Sequence, residues 1–179
     1  MIQEALSCLT DEMNLFFRSK LKINEDKAVL SGILSADGSV AIREENKIII
    51  TLVNVEKETM INGLNTVPNT AAPLNINLYI LFSAYFSAGN YSEALRFLSF
   101  VMGYLQQKNV FNRSNTPQLD SHIMKLVFEM ENLSTERMNN LWASLGAKYM
   151  PSVLYKARML TIDGSIVREY RPPVSGVQQ

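Results

Sequence analysis

The chain has 179 residues, 47% apolar and 19% charged, with 17 basic against 17 acidic side chains and no formal net charge. That length suits one domain with a substantial core. A balanced charge provides no long-range field to gather nucleic acid or an anionic membrane, and it leaves little repulsion between copies of the chain.

Residues 2–21 predict an amphipathic helix, because Ile2, Ala5, Leu6, Leu9, Met13, Phe16, Phe17 and Leu21 recur at steps of three and four. Glu4, Asp11, Glu12, Asn14 and Arg18 fall mostly on the opposite face. Cys8, the single cysteine, lies in the apolar pattern and reads as a small buried hydrophobe. It has no partner for an internal disulfide, which fits synthesis in a reducing compartment. The first residues lack the basic leader and apolar run of a signal peptide. No stretch approaches the ~18 apolar residues of a membrane span.

Residues 28–34 are short and apolar and predict a strand. Asp37 and Gly38 form a turn signal, followed by Val40 and Ile42 in alternation. The run Ile48, Ile49, Ile50, Thr51, Leu52, Val53 predicts a strand over 47–55 that is central and covered on both faces. Residues 56–75 hold Gly63, Pro68, Pro73 and a series of Asn and Thr, which marks a long loop.

A second apolar strand is predicted over 76–86. A helix then runs from Tyr91 to about Lys108, with Asn90 and Glu93 at the spacing of a capping box. Its expected buried stripe is Ala94, Leu95, Leu98, Val101, Met102 and Leu105, widened by Phe97, Phe100 and Tyr104. Residues 112–120 form a polar loop. Leu126, Phe128 and Met130 alternate with Lys125, Val127 and Glu129, as in a half-buried strand over 123–130. Ser134 or Thr135 caps a short helix ended by Gly146, with Leu133 and Met138 spaced as a hydrophobic staple. A last strand over 153–162 leads to a turn at Asp163 and Gly164 and a tail too poor in apolar residues to bury much. The order of elements gives an α+β fold, a mixed or antiparallel β-sheet flanked by helices.

The search for chemistry finds little. The lone His122 has no second histidine or cysteine beside it for a zinc site, and the Gly-x-Ser-x-Gly elbow, the phosphate loop and the dinucleotide fingerprint are all missing. Glu44 with Glu45, and Asp11 with Glu12, sit in polar surroundings and read as solvated surface. The chain is therefore expected to be no enzyme and to need no cofactor or metal. Lys148, Lys156, Arg158, Arg168 and Arg171, interleaved with Tyr149, Tyr155 and Tyr170, could suggest nucleic-acid binding, but neutral total charge opposes it. Tyrosine and arginine are equally the residues of protein interfaces.

Five segments carry a family resemblance: IREENKIIITLVNVEKE (42–58), LNINLYILFSAYFS (74–87), NYSEALRFLSFVMGYLQ (90–106), NTPQL (115–119) and LWASLGAKYMPSVLYKARMLTID (141–163). In this order and spacing the chain resembles the N-terminal domain family of the cap protein, or tube terminator, of extracellular contractile injection systems, which are phage-tail-like particles. The resemblance implies a phage tail-terminator-like fold, taken over 1–164, while the tail over 165–179, with Pro172, Pro173 and Gly176, reads from its own residues as an extended C-terminal arm. It implies a ring of like subunits, expected to be a homohexamer, on the last layer of the inner tube. The implied partners are the inner tube protein and the sheath protein, with neither nucleic acid nor membrane. It further implies cytoplasmic synthesis and assembly into a particle that is released or anchored. The alternative is another phage-tail-like adaptor or baseplate-proximal component. The candidate assembly residues are Glu56, Asn62, Asn65 and Asn69 of the loop and Ile166, Val167, Arg168, Tyr170 and Arg171 of the arm. Residues 165–170 (SIVREY) can extend as a strand and add to a neighbouring subunit.

Overall fold

A computed structural model describes residues 1–35, 37–58 and 74–162. Helix α1 (Ile2–Leu21) is followed by strands β1 (Ala28–Leu30), β2 (Lys47–Lys57) and β3 (Leu74–Tyr85). A single 3-10 turn (Ala88–Asn90) leads into α2 (Tyr91–Gln107), then β4 (Val110–Asn112), β5 (Lys125–Glu131), α3 (Thr135–Leu145) and β6 (Ser152–Ile162). The strands form one six-stranded sheet in the order β1-β2-β3-β6-β5-β4. Only the β1–β2 pair is parallel. The sheet is therefore mixed, as the sequence predicts.

Alternation along the strands sorts their side chains onto two faces. On one face Ile48, Ile50, Ile76, Leu78, Ile80, Phe82, Val153, Tyr155 and Ala157 pack beneath α1 and α2, which contribute Leu9, Met13, Phe17, Phe97, Val101 and Leu105. Each fully buried side chain of this size contributes about 1.5–3 kcal/mol. The other face carries a smaller cluster of Ile33, Leu81, Trp142 and Leu154 under α3. The result is three layers, with two helices on one side of the sheet and one on the other.

Several expectations are corrected. The 28–34 strand shrinks to three residues, and Leu34 instead makes an isolated bridge to Val40 across the predicted turn. There Asp37 Oδ1 accepts from both the amide and the hydroxyl of Ser39, and Gly38 takes a positive φ of 80°. The capping box at α2 does not form. Asn90 is not extended, its side-chain amide donates to Asn46 Oδ1 at 3.0 Å, and Glu93 turns to Arg96. Leu95 leaves the predicted stripe and is exposed, because Phe97 and Tyr104 shift the buried face of α2 around the helix. Met130 is likewise exposed at the outer side of β5. Asn14 is the reverse case, a polar residue of α1 that is buried. Its side chain donates to Ala28 O and accepts from the amides of Lys27 and Ala28, so it pins β1 against the helix.

Two other features hold as predicted. Ser134 Oγ accepts from the amide of Arg137 at the start of α3, and Gly146 ends that helix in the left-handed region. Leu133 and Met138 both pack on the Trp142 cluster.

Candidate assembly surface

Only the first half of β2 is covered on both faces. Its buried residues end at Thr51, and 54–57 are exposed. The cause is a bulge between Leu52 and Asn54, which resets the alternation of β2 against β3. Beyond it Glu56 pairs in register with Asn77, on the face that α3 covers only further along the strands. This part of the sheet, past α3, carries a polar lane across three strands. Tyr79 Oη of β3 donates to Glu56 Oε2 at 2.8 Å, and Lys156 Nζ of β6 reaches the same oxygen at 3.3 Å while lying 5.2 Å from the centre of the Tyr79 ring. Arg158 pairs with Glu129 of β5 at 2.9 Å.

The electrostatics of the lane follow from these contacts. The hydrogen bond from Tyr79, then the ammonium of Lys156, holds the Glu56 carboxyl below its ordinary pKa. Burial, then the carboxylate of Glu56, pushes the Tyr79 phenol up. Two cations of the basic cluster read from the sequence, Lys156 and Arg158, are thus matched by carboxylates within the sheet, whereas Lys148 is exposed.

Of the nine candidate assembly residues, Glu56 alone lies among the described ones, and its carboxylate is engaged within the fold as well as exposed. Asn62, Asn65, Asn69, Ile166, Val167, Arg168, Tyr170 and Arg171 lie outside the described residues. The structure nevertheless relates the two segments that contain them. Leu74 pairs with Ile162, and the amide of Glu58 donates to Asn75 O at 2.8 Å. The described strand ends that border residues 59–73 and 163–179 therefore sit together at one end of β2, β3 and β6. Nothing in a linear sequence signals this, because residues 58 and 162 are brought together only by the strand order.

The chemistry available elsewhere is limited. Asp120, Ser121 and His122 are consecutive, but the carboxylate (2.9 Å) and the hydroxyl (3.5 Å) both face the same ring nitrogen, His122 Nδ1. A relay needs them on opposite nitrogens. Hydrogen bonding by the His122 amide and ring lowers the pKa of Asp120, as in a simple turn. Cys8 is buried, and burial, reinforced by the nearby Glu12 and Asp11, raises its thiol to about 11. Among the described residues no group of three or more His, Cys, Asp or Glu is placed to hold a metal ion. A groove of about 530 Å³ runs between α2 and β5 and is lined by Met102, Gln106, Phe128, Glu129 and Met130. It is mainly apolar and open, without a convergent set of acid and base.

The family model described as the Pvc16 N-terminal domain matches residues 8–176. No curated protein matches the chain. Among solved structures, the sheath/tube terminator of the PVC extracellular contractile injection system, in its extended state, is similar at 15% identity with a TM-score of 0.61. That match covers 100% of this chain and 62% of the other. The tube-terminating cap of the anti-feeding prophage is similar at 17% identity with a TM-score of 0.54, covering 96% of this chain and 59% of that one. The chain thus shares their fold and spans about three fifths of the length of each.

Proposed function

The chain belongs to the Pvc16 N-terminal domain family, and from this premise we propose that it is a structural terminator that caps the distal end of the inner tube of a contractile injection system. The observation that supports this most is the agreement of family and fold over nearly the whole chain. In this reading like subunits form a ring, a homohexamer, on the last tube layer. The ring also contacts the last sheath layer and so couples the two polymers. The protein acts by shape and contact, without catalysis or cofactor, and is incorporated into the particle at the end of assembly. Among the described residues no helix is long and apolar enough to cross a membrane.

The contacts are assigned to the end of the sheet where β2, β3 and β6 border the two undescribed segments. There Glu56, with Asn62, Asn65 and Asn69 on one segment and Ile166, Val167, Arg168, Tyr170 and Arg171 on the other, would reach neighbouring subunits, tube or sheath. Residues 165–179 would act as an arm that adds a strand to a neighbour.

The test is electron microscopy of particles assembled with tagged full-length chain or with a chain lacking 165–179. The tag is expected at the tube tip distal to the baseplate, with six-fold symmetry. The truncated chain is expected to fold but to leave tubes uncapped. A tag at the baseplate would replace this reading with the adaptor alternative, and normal capping by the truncated chain would overturn the arm.

A further inference from the structure

Strand β5 has an outer edge that β4 covers only in part. β4 pairs with Lys125, Leu126 and Val127, and the amide of Phe128 donates to Asn109 O at 2.8 Å. By alternation, the backbone groups of Met130 face the same outer side, away from β6. The chain before β4 is the end of α2, so among the described residues no strand meets them. Two apolar grooves, of about 530 and 270 Å³, adjoin this edge and share Met102 and Met130. Met130 is 53% exposed there. Gly103 of α2 lines the larger groove, and an added Cβ would meet nothing within 4 Å. A glycine inside a helix is destabilising relative to alanine, and no contact among the described residues calls for this one. It does let another backbone lie close to α2.

Charge and reach identify what fits. Glu129 already holds Arg158, whereas Glu131, at the end of the same edge, has no ion pair among the described residues. Residues 165–171 (SIVREYR) supply Ile166, Val167 and Tyr170 for the apolar walls, and Arg168 and Arg171 for that carboxylate. The arm of the same copy departs from the wrong end of the sheet. Met130 is level with Tyr155, near the start of β6, while β6 ends at Ile162. That interval is roughly 20 Å along the strand, and a strand added beyond β5 lies about 10 Å further to the side. Ile166 and Val167 stand at most about 14 and 18 Å from Ile162. A second copy has no such limit.

We infer that residues 165–171 of one copy lie along the outer edge of β5 in the next copy, between that edge and α2. The apolar side chains of the arm pack on Met102 and Met130, and its arginines meet Glu131. Donor and acceptor sit at opposite ends of the sheet, so the contact is head-to-tail. It closes into a ring where successive copies are related by rotation alone. This deepens the capping proposal and rests on its ring.

The test is cross-linking in the full-length chain, where Cys8 is buried and stays unreactive. Met130→Cys is combined in turn with Ile166→Cys and Val167→Cys, under mild oxidation. A ladder of disulfide-linked copies ending at the closed ring is expected. Glu45→Cys, exposed at the other side of the sheet, should give none in place of Met130→Cys. Gly103→Trp fills the groove, and Glu131→Lys reverses its charge. Each is expected to keep the wild-type circular dichroism spectrum. Each should raise the concentration needed for ring assembly at least about tenfold, read by light scattering with and without tube protein. Arg168→Glu with Arg171→Glu should restore assembly of the Glu131→Lys chain. Rings that form without any cross-link to Met130→Cys, and equally well in both groove variants, overturn this docking and leave the ring standing. A cross-link within one copy, or to tube protein, also overturns it. A wild-type chain that forms no ring under any of these conditions overturns both. Should a groove variant fail to fold, the cross-links alone decide.

Discussion

Cys8 lies on α1 beneath the sheet, and its burial sets its chemistry. A thiol near 11 carries almost no thiolate at neutral pH. Labelling by a thiol reagent is therefore expected only as fast as the protein unfolds, and denaturant should make it immediate. The sign of the pH dependence follows. The folded pKa stands above the unfolded value of about 8.5, so this contribution to stability is complete below that pH and is lost as pH rises toward 11. Glu12 departs further from its sequence reading as solvated surface. Its side chain is only 12% exposed and accepts from Tyr104 Oη at 3.1 Å, from Lys108 Nζ at 2.5 Å and from the Gln118 amide. It ties α1 to α2 and to the loop after β4. Glu12→Ala takes the carboxylate from Lys108, which keeps only the Asn115 carbonyl and the Phe111 ring face, and should cost about 2 kcal/mol in urea denaturation. A loss near zero would show the network to be incidental.

At the scale of elements, α3 is the part whose ends were legible residue by residue, because its caps are local. Ser134 at the start and Gly146 at the end act within a few residues of themselves. Gly146 has φ 67°, and an added Cβ would sit 3.5 Å from Leu34 Cδ1. Gly146→Ala should therefore lower stability by about 1 kcal/mol through backbone strain rather than clash. The helix is held to the sheet mainly by Trp142, the single tryptophan, which is buried with Ile33, Leu81 and Leu154. Trp142→Ala should cost about 3–5 kcal/mol. Trp142→Phe should cost much less, since the indole N–H has no partner to lose among the described residues. Equal losses for the two in a denaturation series would show that the N–H matters. By contrast β4, of three residues, has no period to detect. The Asn90 cap failed for a non-local reason, because its side chain turned to Asn46, 44 positions away.

For the whole molecule, the sheet order places the proposed assembly surface. It brings the borders of residues 59–73 and 163–179 to one end. The core lies elsewhere, under α1, α2 and α3. Removal of 165–179 is accordingly expected to leave the melting temperature close to that of the full chain while abolishing capping. A large drop in melting temperature would mean that the tail belongs to the fold.

Local periodicity was enough to place α1, α2, α3 and the long strands, and turn chemistry was enough to bound several of them, because those signals act over three or four residues. The family was also legible, since the order and spacing of its segments survive in the chain. What needed the folded molecule was every relation between distant residues. The strand order, the bulge that exposes the second half of β2, the burial of Asn14 and Glu12, and the lane from Glu56 to Arg158 all arise from pairings across long stretches of chain. A linear pattern cannot specify these, because each depends on which neighbour the sheet supplies.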